Sequence, residues 1–234
     1  SRPAQTMLSL IKRPAPPLSA PPAVNPTFAS AQTFDTPLPE NGLVPIQVGH
    51  DFSWSGKQIP AGKPDDWLFF APHHAYISPN ILEFVQEASA NRPDVVLFYA
   101  DDIAAEEDML DRIRLKPDFD QTLLIAQDYI GAPIFIRRDI LTKNGGLNSQ
   151  RGTAVLYDLV LRIAEAGEAI SRIPRVLIGY RGPRPIANVE ERLLALSEHG
   201  SNADIEFTLG ITPRLLSQKR RFVGSVYPSV SILI

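Results

Sequence analysis

The sequence predicts an α/β protein, with a mixed sheet and helices packed on its faces. Three observations carry that expectation. Trp67-Leu-Phe-Phe-Ala71 and Asp94-Val-Val-Leu-Phe-Tyr99 are short, continuous apolar runs, the pattern of strands covered on both sides. Residues 78–90 and 155–166 place apolar side chains at helical spacing. Strand-like and helix-like stretches then alternate as far as His199, as expected of a sheet with flanking helices.

The elements follow in order. Residues 1–40 hold nine of the 22 prolines, with Ala, Ser and Thr between them. Such a segment buries too little surface to offset its ordering entropy, so an extended or disordered arm is expected, with a docked polyproline arm as the alternative. Leu43–Val48 and Phe52–Ile59 read as short strands around a turn at Gly49, and Ala61-Gly62-Lys63-Pro64 breaks the chain. After the Trp67–Ala71 strand, Ser78-Pro79 is placed as N-cap and first turn of a helix reaching about Ala90, with Ile81, Leu82, Phe84 and Val85 inward. Asn91-Arg92-Pro93 ends it, and the Asp94–Tyr99 strand follows.

Gln121–Ala126 reads as a short helix, Ala132–Arg137 as a strand, and Asp139–Asn144 as a helix stopped by Gly145-Gly146. Val155–Ala166 groups Leu156, Leu159, Val160 and Ile163 on one face and closes at Gly167. Ala169–Ile173 and Val176–Tyr180 are strand material interrupted by Pro174. Val189–His199 reads as an amphipathic helix with Leu193, Leu194 and Leu196 inward.

Composition excludes several classes. The chain of 234 residues has no cysteine, which removes disulfides, thiolate nucleophiles and cysteine-zinc sites. A net charge of −3 gives no sign of a nucleic-acid partner, and Lys219-Arg220-Arg221 reads as a solvated linker. No apolar run approaches the ~20 residues of a membrane span. Met7–Ile11 runs straight into Lys12-Arg13-Pro14, unlike a signal peptide. A cytoplasmic location is expected.

Five landmarks stand in register: Asp94–Asp102, Lys116-Pro-Asp-Phe119, Gln127-Asp-Tyr-Ile-Gly131, Tyr157–Arg162 and Ile173-Pro-Arg-Val-Leu177. In that order and spacing the chain resembles the family 2 glycosyltransferases, over roughly two thirds of its length. The resemblance implies a GT-A-like (Rossmann-like) fold, here with a short nucleotide-binding half and no Gly-rich phosphate loop. It implies a GT-A-like domain over 41–186, a helix and interdomain linker over 187–228, and at 229–234 the first strand of a truncated following domain. That following transferase domain is the expected partner, with a glycan acceptor as the possible ligand.

The resemblance also says where the chemistry belongs. A sugar-nucleotide transferase needs a hard cation on its diphosphate and a base on the acceptor hydroxyl. The cation-binding Asp-x-Asp positions fall on Pro72 and His74, and the base position falls on Leu156. No catalytic carboxylate is therefore expected, with Asp158 the fallback. No cofactor is expected either, Mn²⁺ or Mg²⁺ entering only if the domain is active. His73 and His74 are the fallback metal ligands, which point to opposite sides in extended chain and need a third ligand such as His50.

Asp101, Asp102, Asp128 and Arg181 are the expected substrate-binding residues. For the Asp101-Asp102 pair, a solvated strand end is preferred to a residual metal or sugar site. Lys116-Pro117-Asp118 is expected to shape a loop. Trp67 is expected in the core, with sugar stacking left open for Trp54. The functional expectation is a catalytically degenerate domain for docking, glycan binding or support. An active transferase in cell-surface polysaccharide synthesis is the alternative.

Overall fold

The computed structural model of the chain describes residues 32–33, 42–73, 75–104, 113–180, 182–199, 205–212 and 215–220. Along the chain run β1 (Gln32–Thr33), β2 (Leu43–Val48), β3 (Trp67–Pro72), β4 (Tyr76–Ile77), α1 (Ile81–Asn91) and β5 (Val95–Ala104). Then come β6 (Ile113–Arg114), α2 (Gln121–Ala126), β7 (Ile134–Arg137), α3 (Arg138–Lys143) and a 3-10 stretch (Ser149–Ala154). The series ends with α4 (Val155–Glu165), β8 (Ala169–Tyr180), α5 (Val189–His199), β9 (Ile205–Leu209) and β10 (Leu216–Arg220).

The main sheet runs in the order β1-β4-β8-β5-β7-β3-β2, with β6 added to β5. It is mixed: β2 with β3 and β5 with β8 are parallel, and the remaining pairs are antiparallel. The continuous apolar strands sit where their composition requires. Leu68, Phe69, Phe70 and Ala71 are fully buried, and Phe69 stacks on Phe135 of β7 with ring centroids 5.1 Å apart. Covering layers are supplied by α1 and by α4, whose buried face includes Leu156, Leu159, Val160 and Ile163. The fold is therefore the expected mixed α/β sheet with flanking helices.

Four local expectations need correction. Residues 52–59 form no strand; Phe52 adopts φ 73° and its N–H closes on Gly49 O at 2.9 Å, so the chain turns back instead of extending. Ser78 does not cap α1, because its amide donates to Leu177 O (2.9 Å) in line with β4 and the helix starts after Asn80. The two strands around Pro174 are one, β8. Its partners on β5 jump from Ile173↔Ala100 to Val176↔Asp101, so Pro174 and Arg175 bulge out and the missing proline N–H breaks no ladder bond. On α5 the buried residues are Arg192, Ala195 and Leu196, while Leu194 is 52% exposed.

Two further segments differ from a plain arm and linker. Gln32–Thr33 pairs with Tyr76–Ile77 at the sheet edge, and Lys219 and Arg220 belong to β10, which forms a separate hairpin with β9. The rest of the 1–40 arm and residues 229–234 lie outside the described residues.

Candidate functional site

A cavity of about 260 Å³ opens between the chain around β6, the α2–β7 loop and the segment leading into α5. Its walls include Arg114, Lys116, Gln127, Asp128, Arg184 and Arg192, with Leu115 and Ile186 exposed at the rim. This volume suits a ligand of about one sugar ring, a little below the usual range for small-molecule sites.

The polar wall is organised from β5. Asp101 and Asp102 lie in the C-terminal half of that strand and are 1% and 0% exposed, which overturns the expectation of a solvated strand end. Neighbours on a strand point to opposite sides, and the two carboxylates accordingly serve different partners. Asp101 accepts from Arg172 Nε (3.0 Å) and Nη2 (2.6 Å), and from the backbone N–H of Lys116 (2.8 Å). Asp102 takes Arg114 Nη2 at 2.7 Å, Lys116 Nζ at 3.2 Å and Arg184 Nε at 2.5 Å. One carboxylate thus holds cations from β6, the strand-to-loop exit and the loop after β8. Burial works against the charge on Asp102, but Lys116, Arg114 and Arg184 outweigh it and hold the carboxyl below its usual range.

Lys116, expected to shape a loop, is a buried cation. Its ammonium also donates to Ala132 O at 2.7 Å. Burial pulls its pKa down to about 7, Asp102 opposing and Arg114 reinforcing the shift. Neither Asp101 nor Asp102 lines the cavity; Arg114 and Lys116 stand between them and any ligand. Asp128 does line it, and its Oδ1 accepts from Gly131 N at 3.0 Å. Gly131 has φ 53°, and a Cβ there would lie 3.1 Å from Arg114 Nη2, so a glycine keeps both the turn and the guanidinium in place.

The remaining expected positions lie elsewhere. Leu156 is buried in the core on α4, and Pro72 ends β3 in a buried position. His73 is exposed, its amide donating to Val48 O at 2.9 Å. His74 and Arg181 lie outside the described residues. Among the described residues no group of three or more His, Asp or Glu is placed to hold a metal ion. Trp67 packs on Phe98 with centroids 5.3 Å apart, and Trp54 is partly buried against the core.

Asp158 is far from solvent, at 1% exposed, and joins α4 to α5. It accepts from Arg151 Nε (2.8 Å), Arg162 Nε (3.0 Å) and His199 Nε2 (2.9 Å). Burial opposes its ionisation, yet the His199 hydrogen bond and the Arg162 charge hold its pKa below the usual value. Sequence reasoning missed Arg114, Arg184 and Arg192 as members of the cleft. Isolated arginines carry no motif; the pairing of β5 with β6 and β8 brings in Arg114 and the loop that carries Arg184, and the placement of α5 brings in Arg192.

Comparison with known proteins adds a coarse context. No family model matches the chain. It is 28% identical over 188 residues to the O-antigen biosynthesis protein RfbC of Myxococcus xanthus, a match covering 72% of this chain and 14% of that protein. The chain therefore spans about one seventh of that relative's length. Among solved structures, residues 1–349 of S. aureus TarS align with 60% of this chain and 42% of that one, at 12% identity and TM-score 0.43. A longer S. aureus TarS structure gives the same identity and TM-score over 60% of this chain and 25% of that one.

Proposed function

We propose that the chain is a glycosyltransferase-like domain of cell-surface polysaccharide synthesis that binds or docks a glycan and does not itself transfer sugar. The similarity to an O-antigen biosynthesis protein supports the setting. The observation that carries the non-catalytic reading is the state of the surviving carboxylates. Asp101, Asp102 and Asp158 are buried and each is engaged by at least one arginine. A carboxylate so held is a poor base, because taking a proton would break the pairs that keep it ionised. The position that the family resemblance gives to the base is Leu156, which accepts no proton and lies in the core.

The same cleft suits a sugar. Gln127, Asp128 and Arg114 offer donors and acceptors, beside exposed apolar surface from Leu115 and Ile186. The partner in this reading is an active transferase domain that acts on the bound glycan. Calorimetric titration with sugar nucleotides, with and without Mn²⁺, and with a cell-surface oligosaccharide, combined with a hydrolysis assay, tests the proposal. The expected result is no turnover, with glycan binding weakened about tenfold or more by Arg114→Gln. Turnover at rates ordinary for transferases would overturn it and make Asp128 the first residue to test as base.

A further inference from the structure

Helix α5 is fastened to the 3-10 stretch and α4 at both ends, by different chemistry. At its N-terminal end Glu191 Oε2 accepts from Thr153 N (2.7 Å) and Oγ1 (2.5 Å), and Asn188 N donates to Thr153 Oγ1 (2.7 Å). Gly152 makes room for this, since a Cβ there would collide with the Glu191 carboxylate.

At the C-terminal end the fastening is an imidazole between two acids. His199, the last residue of α5, places Nε2 2.9 Å from Asp158 Oδ1 and Nδ1 3.0 Å from Glu165 Oε2. A neutral imidazole has a single N–H and would turn a lone pair to one of these carboxylates. Only the imidazolium donates to both. The other charges around it are accounted for: Arg151 and Arg162 are held by Asp158, and Glu198 is held by Arg151. The negative end of the α5 dipole favours the cation as well.

We propose that His199 is a proton-operated latch, its imidazolium clamping the C-terminal end of α5 onto α4 through both acids and its neutral form giving up the Glu165 bond, so that the end is held more loosely. On proton loss, the buried Asp158 keeps the Nε2–H donor and its two arginines. Glu165, whose side chain is 40% exposed, then faces a lone pair and turns to solvent. Arg192, on the cleft wall, stands beside the Glu191–Thr153 fastening that proton loss leaves in place, so the loosening is confined to the last turn of α5. The hydrogen bond to Asp158 raises the His199 pKa above its ordinary value, burial opposing and Glu165 adding to the rise. The latch therefore stays closed through mildly acid conditions and opens as pH climbs past the raised pKa. This inference is independent of the glycan-binding reading.

The test is an NMR titration of the His199 ring in the full chain, with amide exchange of α5 followed from about pH 6 to about pH 8.5 in wild type, His199→Gln and Glu165→Gln. The expected ring midpoint lies above ~6.5 in wild type. Protection factors of residues 195–199 should fall several-fold over that range in wild type and stay flat in His199→Gln. Glu165→Gln, at a half-exposed position, should lower the ring midpoint without altering the circular dichroism spectrum. A wild-type midpoint at or below ~6.5 would overturn the latch. So would an unmoved midpoint in Glu165→Gln, or equal pH dependence of α5 exchange in wild type and His199→Gln.

Discussion

Asp102 is the residue on which the cleft's electrostatics turn, because its carboxylate pairs at 3.2 Å with a lysine that has no exposed side-chain surface. Replacing it by Asn keeps the shape and removes the charge, leaving Lys116, Arg114 and Arg184 facing one another. Breaking one side of a buried pair costs about 3–5 kcal/mol, and urea unfolding at neutral pH should register a loss of that size for Asp102→Asn. A loss under about 1 kcal/mol would mean that water already screens the cluster. Lys116 gives the pH signature. Its pKa falls from 10.5 to about 7 on folding. Below that range both states hold the proton; within it the folded chain releases the proton while the unfolded chain keeps it, so stability rises with pH. Wild type should therefore gain on Lys116→Met as pH is raised from about 7 to about 10 in parallel unfolding titrations. A constant difference would place the ammonium in a wetter setting. None of this was legible from Asp101-Asp102 in the sequence, where consecutive acids read as surface; their partners lie 12 to 82 positions away.

At the scale of elements, the pattern was legible wherever the apolar residues were local and periodic. The bounds of α2 and α5 coincide with those expected, and α4 ends one residue early. What failed was the assignment of faces and caps. Helix α5 carries three leucines within four positions, and counting them inward puts Leu194 in the core. The helix is instead rotated so that Arg192 and Ala195 are buried, a rotation consistent with the Glu191–Thr153 bonds and the His199 contacts pinning its two ends. This rotation yields a paired expectation. Leu194→Lys should change stability by no more than about 0.5 kcal/mol. Ala195→Leu should cost about 1–3 kcal/mol, because the site is closed on all sides and the added methylenes force neighbours off their rotamers. Thermal unfolding of the two variants side by side checks the rotation, and the reverse order of damage would restore the leucine-inward helix. The bulge in β8 taught the same lesson. Pro174 reads as a break, but parallel pairing with β5 on either side carries the strand through it.

At the scale of the molecule, the sheet divides the chain into parts of unequal security. Strand β5 lies between β8 and β7, takes β6 on its far end, and has nearly every residue buried. Among the described residues the β9–β10 hairpin is a separate two-stranded sheet; Leu216 is buried, whereas Leu209 is half exposed and Ile211 lies open to solvent. Strand order is the feature least legible in advance, since β7 and β8, which flank β5 along its length, are distant in sequence and only tertiary pairing selects them. An isolated two-stranded hairpin is marginally stable in water, so β9 and β10 depend on their contacts with α5 and α2. Native-state hydrogen exchange in low denaturant should then resolve two classes of amide. Those of Leu97–Ala100 should exchange only with global unfolding, their opening energy falling with the full denaturant slope. Those of residues 206–208 and 217–219 should exchange through a smaller opening with a shallow slope, several kcal/mol below the global value. Equal slopes in both sets would make the hairpin an integral part of the cooperative core. In that case α5, which touches both the cleft wall and β9, would have to unfold together with them.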